Sequence, residues 1–552
     1  MKVHRLAAAL AAALLCSATA FAAPPPSSAA TPTPAAASSS ATTTNETLVQ
    51  RQTKPLSSTT TGTVTVEGKP INYKAVTGTL VIDGTGARES TPEVAMSYVA
   101  YFKQGADPSK RPITFLYNGG PGSSTVWLLM GAYGPERVVT KDHTHTPAAP
   151  YQLVNNDYSL LDASDLVFID APGTGFGRLL PQGKTEAERA KSRHALAKQI
   201  WSVDGDAHTF ARFIMQFLSK YNRWNSPKYL YGESYGTTRS AVLADDLEQE
   251  DNIDLNGVIL QSQILDFGLS IDGPRGRPGD DLAYVLGLPT FAATAWYHHK
   301  LPKYDSGKLE TLLNQVIAFT KTEYEPALFA GSTLNEAKEH EIAGKLHDFT
   351  GLPVAYLMRA DLRVSGSMFE HELQLNTDTT TGRLDTRFSG PSMDPMARDA
   401  EYDPQSAAIS SAYVSAFNEY ARDTLKFGQD MRFRAEIYGI KDFHWSFKHH
   451  PAGGHGTQGT LNVMTDLAQA MKYNPDLKVM LNGGFYDLAT PFYTAIYEEE
   501  HLPIPRRLDK NITYAFYPSG HMVYVNVRSL HQMHDNVVKF IDATDNQGNP
   551  KT

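Results

Sequence analysis

Short runs of apolar and β-branched residues, separated by turn residues, mark the first ordered part of the chain. Thr63–Val66, Ile71–Val76, Thr79–Ile82 and Glu93–Phe102 are rich in Val, Ile, Thr and Tyr and are predicted strands. Ile113–Tyr117, Leu166–Ile169, Lys228–Tyr231 and Val258–Gln261 are shorter and almost unbroken in apolarity, the pattern of strands covered on both faces. Between them, Glu186–Tyr221 places apolar residues three and four apart and is predicted as one long helix, and Thr238–Glu248 as another. Strands alternating with helices predict an α/β fold, a mostly parallel sheet with helices on both faces. From about Asp266 to Ser410 that rhythm is lost, and a helix-rich insertion with turns at Gly287-Leu288-Pro289 and Gly351-Leu352-Pro353 is expected. The core pattern returns with strands Val479–Asn482 and Thr513–Phe516 and a closing helix Leu530–Ile541. The expected organisation is therefore a first core part over 59–265, an insertion or lid over 266–410, and a second core part over 411–552, without an internal repeat.

The N-terminal pattern differs. Lys2, His4 and Arg5 precede an apolar run from Leu6 to Leu15 and small residues around 18–23, so residues 1–22 read as a secretory signal peptide. Export to a periplasmic or extracellular location follows from that reading. Residues 23–58 are rich in Pro, Ala, Ser and Thr and poor in large apolar side chains, the composition of a disordered linker. The apolar run is too short to span a bilayer, and no later segment is longer, so no integral membrane segment is expected. Cys16 is the only cysteine; with it in the signal, no thiol chemistry or disulfide is available to the rest. The net charge of −9 argues against nucleic acid as the main partner. Oligomeric state is left open.

Chemistry concentrates on three loops. Gly232-Glu233-Ser234-Tyr235-Gly236 fits G-x-S-x-G between a predicted strand and a predicted helix, where a strained turn projects a serine hydroxyl. A hydroxyl needs a base, and the base needs an orienting carboxylate. Asp487 follows the strand at Val479, and His521 follows the strand at Thr513, in the sequence order Ser, Asp, His expected for such sheets. Asn118-Gly119-Gly120-Pro121-Gly122 follows Ile113–Tyr117 and can bring backbone N–H groups close to substrate; with Tyr235, the residue after the serine, it is the expected oxyanion hole.

These blocks, together with Ser123-Ser124, Asp170-Ala171-Pro172-Gly173-Thr174-Gly175-Phe176 and Gly520-His521-Met522-Val523, resemble the signature blocks of the serine carboxypeptidase family, in the family's order over roughly 60–545. The resemblance implies an α/β-hydrolase core with a lid. It implies a catalytic triad of Ser234, Asp487 and His521, oxyanion N–H groups from Gly120 and Tyr235, and Asn118, Gly119 and Glu233 against the substrate's C-terminal carboxylate. The implied partners are peptides with a free C-terminus, the reaction is hydrolysis of the last peptide bond through an acyl-enzyme in acid, and no cofactor is implied. Two carboxyl groups in contact must share a proton, which is why acid favours binding against Glu233. The chain departs from the family pattern at Ser123, where a cysteine is usual. It departs again at Ala132-Tyr133, where a second acid often precedes Gly-Pro, and in a shorter Asp170 loop. An esterase, acyltransferase or aminopeptidase on the same core, or a non-catalytic secreted binding protein, are the competing readings.

Other signals carry less. His298, His299, His444, His449, His450 and His455 form no ligand set on one element, so no metal is expected. Gly173-Thr174-Gly175-Phe176-Gly177 lacks the lysine of a phosphate loop, and Ser123 and Ser124 lack an elbow. Asn45 and Asn511 begin glycosylation sequons.

Overall fold

A computed structural model describes residues 53–454 and 456–546. The expected signal peptide, Cys16, Asn45, His455 and most of the expected linker lie outside the described residues. The strands, numbered along the sequence, are β1 (Ser57–Val66), β2 (Lys69–Asp83), β3 (Pro92–Lys103), β4 (Ile113–Tyr117), β5 (Glu136–Val138), β6 (Leu153–Asn155) and β7 (Asp165–Ile169). They continue with β8 (Arg178–Leu179), β9 (Lys228–Glu233), β10 (Gly257–Gln261), β11 (Thr379–Thr381), β12 (Ser389–Pro391), β13 (Lys478–Gly484) and β14 (Ile512–Tyr517). The main sheet runs β1-β2-β3-β7-β4-β9-β10-β13-β14, with β8 beside β3. β1, β2, β3 and β7 pair antiparallel, and every pair from β7 to β14 is parallel. This is an α/β-hydrolase sheet. The central strands β4, β7 and β10 are buried along their whole length, as their unbroken apolar runs require. One core cluster packs Phe210, Phe213 and Phe217 against Tyr98, Phe115 and Leu230; another packs Ile409, Tyr413 and Val537 against Tyr229 and Tyr231. Among the described residues no helix is long and apolar enough to cross a membrane.

Four local expectations are corrected. Ser57 and Ser58, expected in the linker, belong to β1, where they pair with Gly78 and Thr77. The two strands expected between Ile71 and Ile82 are one, β2. Gly78 is no break there: a Cβ at that position would collide with the Leu56 carbonyl, so glycine allows the neighbouring backbone to approach. The helix expected over Glu186–Tyr221 is two, Glu186–Ile200 and Val203–Tyr221, because Ser202 caps the second by accepting from the Gly205 N–H. The strand after the insertion begins at Lys478, and residue 410 lies inside the helix Pro404–Asp423.

The segment between β10 and β13 includes the helices Leu282–Tyr297, Leu309–Phe319 and Glu336–Thr350, which share an apolar cluster around Val285, Val316 and Ile342. One part of it returns to the sheet. Residues 383–388 run between the loops after β13 and β14, where Leu488 N donates to Arg383 O (3.1 Å), Thr386 N to Tyr486 O (2.9 Å) and His521 N to Leu384 O (2.7 Å). The buried Asp385–Arg387 pair (2.6 Å) stiffens this segment, and Arg387 also donates to Ser519 Oγ (3.2 Å).

Candidate active site

Parallel strands deliver the expected site residues to the C-terminal ends of the strands. β9 ends at Glu233, and the helix Tyr235–Asp245 starts at once, so Ser234 takes φ 64° and ψ −131°. A non-glycine residue rarely adopts such a backbone, and it is the strain expected of a serine elbow. The turn is tight enough that a Cβ on Gly232 would strike the Gly236 carbonyl. Tyr235 opens the helix, so its N–H has no intrahelical acceptor.

β4 runs into Asn118–Gly120. A Cβ on Gly119 would strike the backbone nitrogens of Tyr235 and Gly236, so this loop lies directly on the elbow; Gly120 has φ +110°. Three groups brace the loop. The fully buried Arg239 donates to Asn118 O (2.9 Å) while held by Asp206 (2.5 Å), Asn118 Oδ1 accepts from Leu128 N (3.1 Å), and Asp170 accepts from Thr125 N (2.9 Å). The Asp170 loop is thus a support for the Asn118 loop. Ser123 accepts from Trp127 Nε1 (2.9 Å), and Ser124 is fully buried.

Asp487 and His521 come together from the loops after β13 and β14. His521 Nδ1 is 2.8 Å from Asp487 Oδ2, and both are buried. Thr490, which the sequence pattern does not single out, fixes this carboxylate: its N–H reaches Oδ1 (3.0 Å) and its hydroxyl Oδ2 (2.7 Å). Burial disfavours the His521 imidazolium, but Asp487 and Glu233 outweigh it and the net shift is upward. Ser234 and His521 line one cavity of about 240 Å³ with Asn118, Gly119, Gly120 and Glu233. The Ser234 hydroxyl has no hydrogen-bond partner among the described residues.

Glu233 is the most perturbed acid lining that cavity. Burial pushes its carboxyl up to about 7, against the lowering effect of His521 and its donors. Three donors converge on it: Asn118 Nδ2 (2.7 Å), Gln261 Nε2 (2.9 Å) and Tyr524 OH (3.3 Å). Ala132, expected from the resemblance to be a departure from the family pattern, is buried.

Several lining residues are not marked by the sequence: Arg383, Gln405, Glu436 and Tyr438. The last two belong to a strap over the Asn118 loop, where Ser124 N donates to Ala435 O (2.8 Å) and Ile437 N to Gly122 O (3.0 Å). Nothing in the local sequence signals these residues, because only tertiary packing brings them to this cavity. Two other groups have structural places. His449 is clamped between Asp204 (2.5 Å) and Asp466 (3.1 Å), and Asn511 is buried with its amide on Pro475 O (2.8 Å).

Residues 83–271 match the family model described as serine carboxypeptidase. That segment includes the Asn118, Asp170 and Ser234 loops and stops before Asp487 and His521. Serine carboxypeptidase-like 13 of Arabidopsis thaliana is 29% identical over 204 residues, 36% of this chain and 41% of that protein. Serine carboxypeptidase-like 5 of the same plant is 29% identical over 221 residues, 40% of this chain and 41% of that protein. The chain thus spans less than half the length of these curated relatives. Among solved structures, a proline iminopeptidase from Mycobacterium smegmatis is similar at a TM-score of 0.33 and 12% identity, covering 88% of this chain and 99% of that one. The stretch that carries the serine elbow and the loop laid upon it is thus similar to the serine carboxypeptidase family.

Proposed function

We propose that this protein is a serine carboxypeptidase that removes the C-terminal residue of peptides. The observation that carries the reading is one cavity lined by a strained serine, the histidine held by Asp487, and the Asn118–Glu233 pair. In this reading Ser234 Oγ attacks the last peptide carbonyl carbon and its proton passes to His521 Nε2. Asp487 holds the imidazole in the tautomer that can accept it and stabilises the imidazolium that forms. The N–H groups of Gly120 and Tyr235 receive the developing oxyanion. The C–N bond then breaks as His521 returns the proton to the leaving amine. Water attacks the acyl-serine with His521 again as base, releasing the shortened peptide and regenerating Ser234.

Asn118, Gly119 and Glu233 hold the substrate's terminal carboxylate. Glu233 can donate to it only while protonated, and its carboxyl, pushed up to about 7, stays neutral well above the range of an ordinary glutamate. Recognition of a free C-terminus therefore extends from acid toward neutral pH and weakens as Glu233 ionises. The N-terminal basic, apolar and small-residue pattern supports export, and with it peptide substrates outside the cytoplasm.

The test is hydrolysis of a blocked dipeptide with a free C-terminal carboxylate, compared with its amide and with a simple ester, by wild type and Ser234→Ala. The expected result is preference for the free acid and loss of turnover in the variant. Cleavage of the ester alone would instead place the protein among esterases on this core.

A further inference from the structure

We infer that Arg383 is a specificity-determining residue that pairs with a carboxylate of the substrate in the Ser234 cavity. The inference rests on the peptidase reading above and extends it to a residue of the insertion. Arg383 lines the cavity together with Ser234, His521 and Tyr438. Its charge bears on both His521 and Tyr438 across that cavity. Asp272 holds it from one side through Nε (3.0 Å) and Nη2, while Nη1 has no hydrogen-bond partner among the described residues. The fork is therefore fixed in plane with one N–H-bearing end unspent, the arrangement that suits a planar carboxylate.

The groups facing Arg383 leave room for an anion. Asp272 is its ion-pair partner. Asp403 is engaged by the backbone N–H groups of Arg383 (2.7 Å), Leu384 (3.3 Å) and Ser406 (2.9 Å). Burial pushes Glu370 up to about 8, so it is largely neutral at pH 7. Glu436 and Glu233 line the same cavity. A guanidinium keeps its proton throughout the working range, so this contact persists where Glu233 has ionised. It supplies a second hold on a carboxylate beside the one that Glu233 gives.

The carboxylate has two candidate sources, the α-carboxylate that ends any peptide or the side-group carboxylate of a C-terminal Asp or Glu. Blocked Phe-Asp and Phe-Asn, each as free acid and as C-terminal amide, separate them when assayed with wild type, R383Q and R383K at pH 6 and pH 8. R383Q is expected to lower kcat/KM at least about tenfold, chiefly through KM, as loss of a charged hydrogen bond requires. If the α-carboxylate is the partner, both free acids fall and both amides do not. If the aspartate side group is the partner, Phe-Asp falls in both forms and Phe-Asn does not. R383K is expected to recover part of the loss. An equal loss on all four substrates, or none, overturns the inference. The wild-type enzyme provides an independent reading should R383Q fail to fold. The acid-over-amide or Asp-over-Asn ratio must fall as salt is added, and a ratio indifferent to salt contradicts the pairing. Failure of the peptidase reading is distinct: no dipeptide is cleaved although a p-nitrophenyl ester is. The comparison then moves to p-nitrophenyl esters with and without a free carboxylate, with the same expected loss in R383Q.

Discussion

Replacing Glu233 by Gln should remove the pH dependence of C-terminal recognition while leaving the hydrogen bond itself. The Glu233 carboxyl is pushed from 4.5 up to about 7 by burial. A shift of that size makes the neutral form favoured by about 3 kcal/mol relative to an exposed glutamate. At pH 5 nearly every molecule carries the proton that the substrate carboxylate needs; at pH 8 only about one in ten does. KM for a free-acid dipeptide should therefore rise about tenfold between pH 5 and pH 8. The amide of the same peptide needs no such proton, so the ratio of the two kcat/KM values isolates Glu233 and cancels the titration of His521. In E233Q an amide N–H donates at every pH, and the ratio should be flat. A wild-type ratio that is already flat, or an E233Q ratio that still falls with pH, would refute the assignment of Glu233 to the terminal carboxylate.

Three further outcomes follow from the packing around the site. Arg387→Met leaves the buried Asp385 without its partner beside the His521 loop, and should cost about 3–5 kcal/mol in denaturant unfolding; a loss under about 1 kcal/mol would show that the 383–388 segment does not depend on this pair. Gly119→Ala should abolish turnover, because its Cβ strikes the backbone nitrogens of Tyr235 and Gly236, and retained activity would contradict the close seating of the two loops. His449, pushed up to about 9 by Asp204 and Asp466 against burial, contributes stability fully present below pH 6.5 and lost as pH rises through 9. The contribution is on the order of 2–3 kcal/mol, so wild type and His449→Gln should differ in thermal unfolding at pH 6 and converge near pH 10; a pH-independent difference would exclude the clamp.

The sheet was legible because its central strands are apolar throughout and end in glycine-rich loops, so the positions of Ser234, Asp487 and His521 after β9, β13 and β14 could be read from pattern alone. Gly78 obscures β2 because a glycine admitting a neighbouring backbone looks in sequence like one that makes a turn. Ser202, followed by acids at 204 and 206, is a readable helix start masked by the apolar rhythm around it. Arg383, Glu436 and Tyr438 were not legible. Each lines the cavity from an element whose approach is fixed by tertiary contacts, such as Leu384 O on the His521 N–H, and not by local pattern. The Asn118–Glu233 hydrogen bond lies between: family resemblance points to the two residues, and the distance between them comes from the fold.

The central claim is that Ser234, activated by His521 and Asp487, is the nucleophile. Mass spectrometry of the protein after reaction with a fluorophosphonate tests it most directly. The account expects a single adduct on Ser234 in wild type, none in Ser234→Ala, and labelling slowed at least about a hundredfold in Asp487→Asn, whose histidine is held in the wrong tautomer. Labelling at another serine, or undiminished labelling in Asp487→Asn, would contradict it.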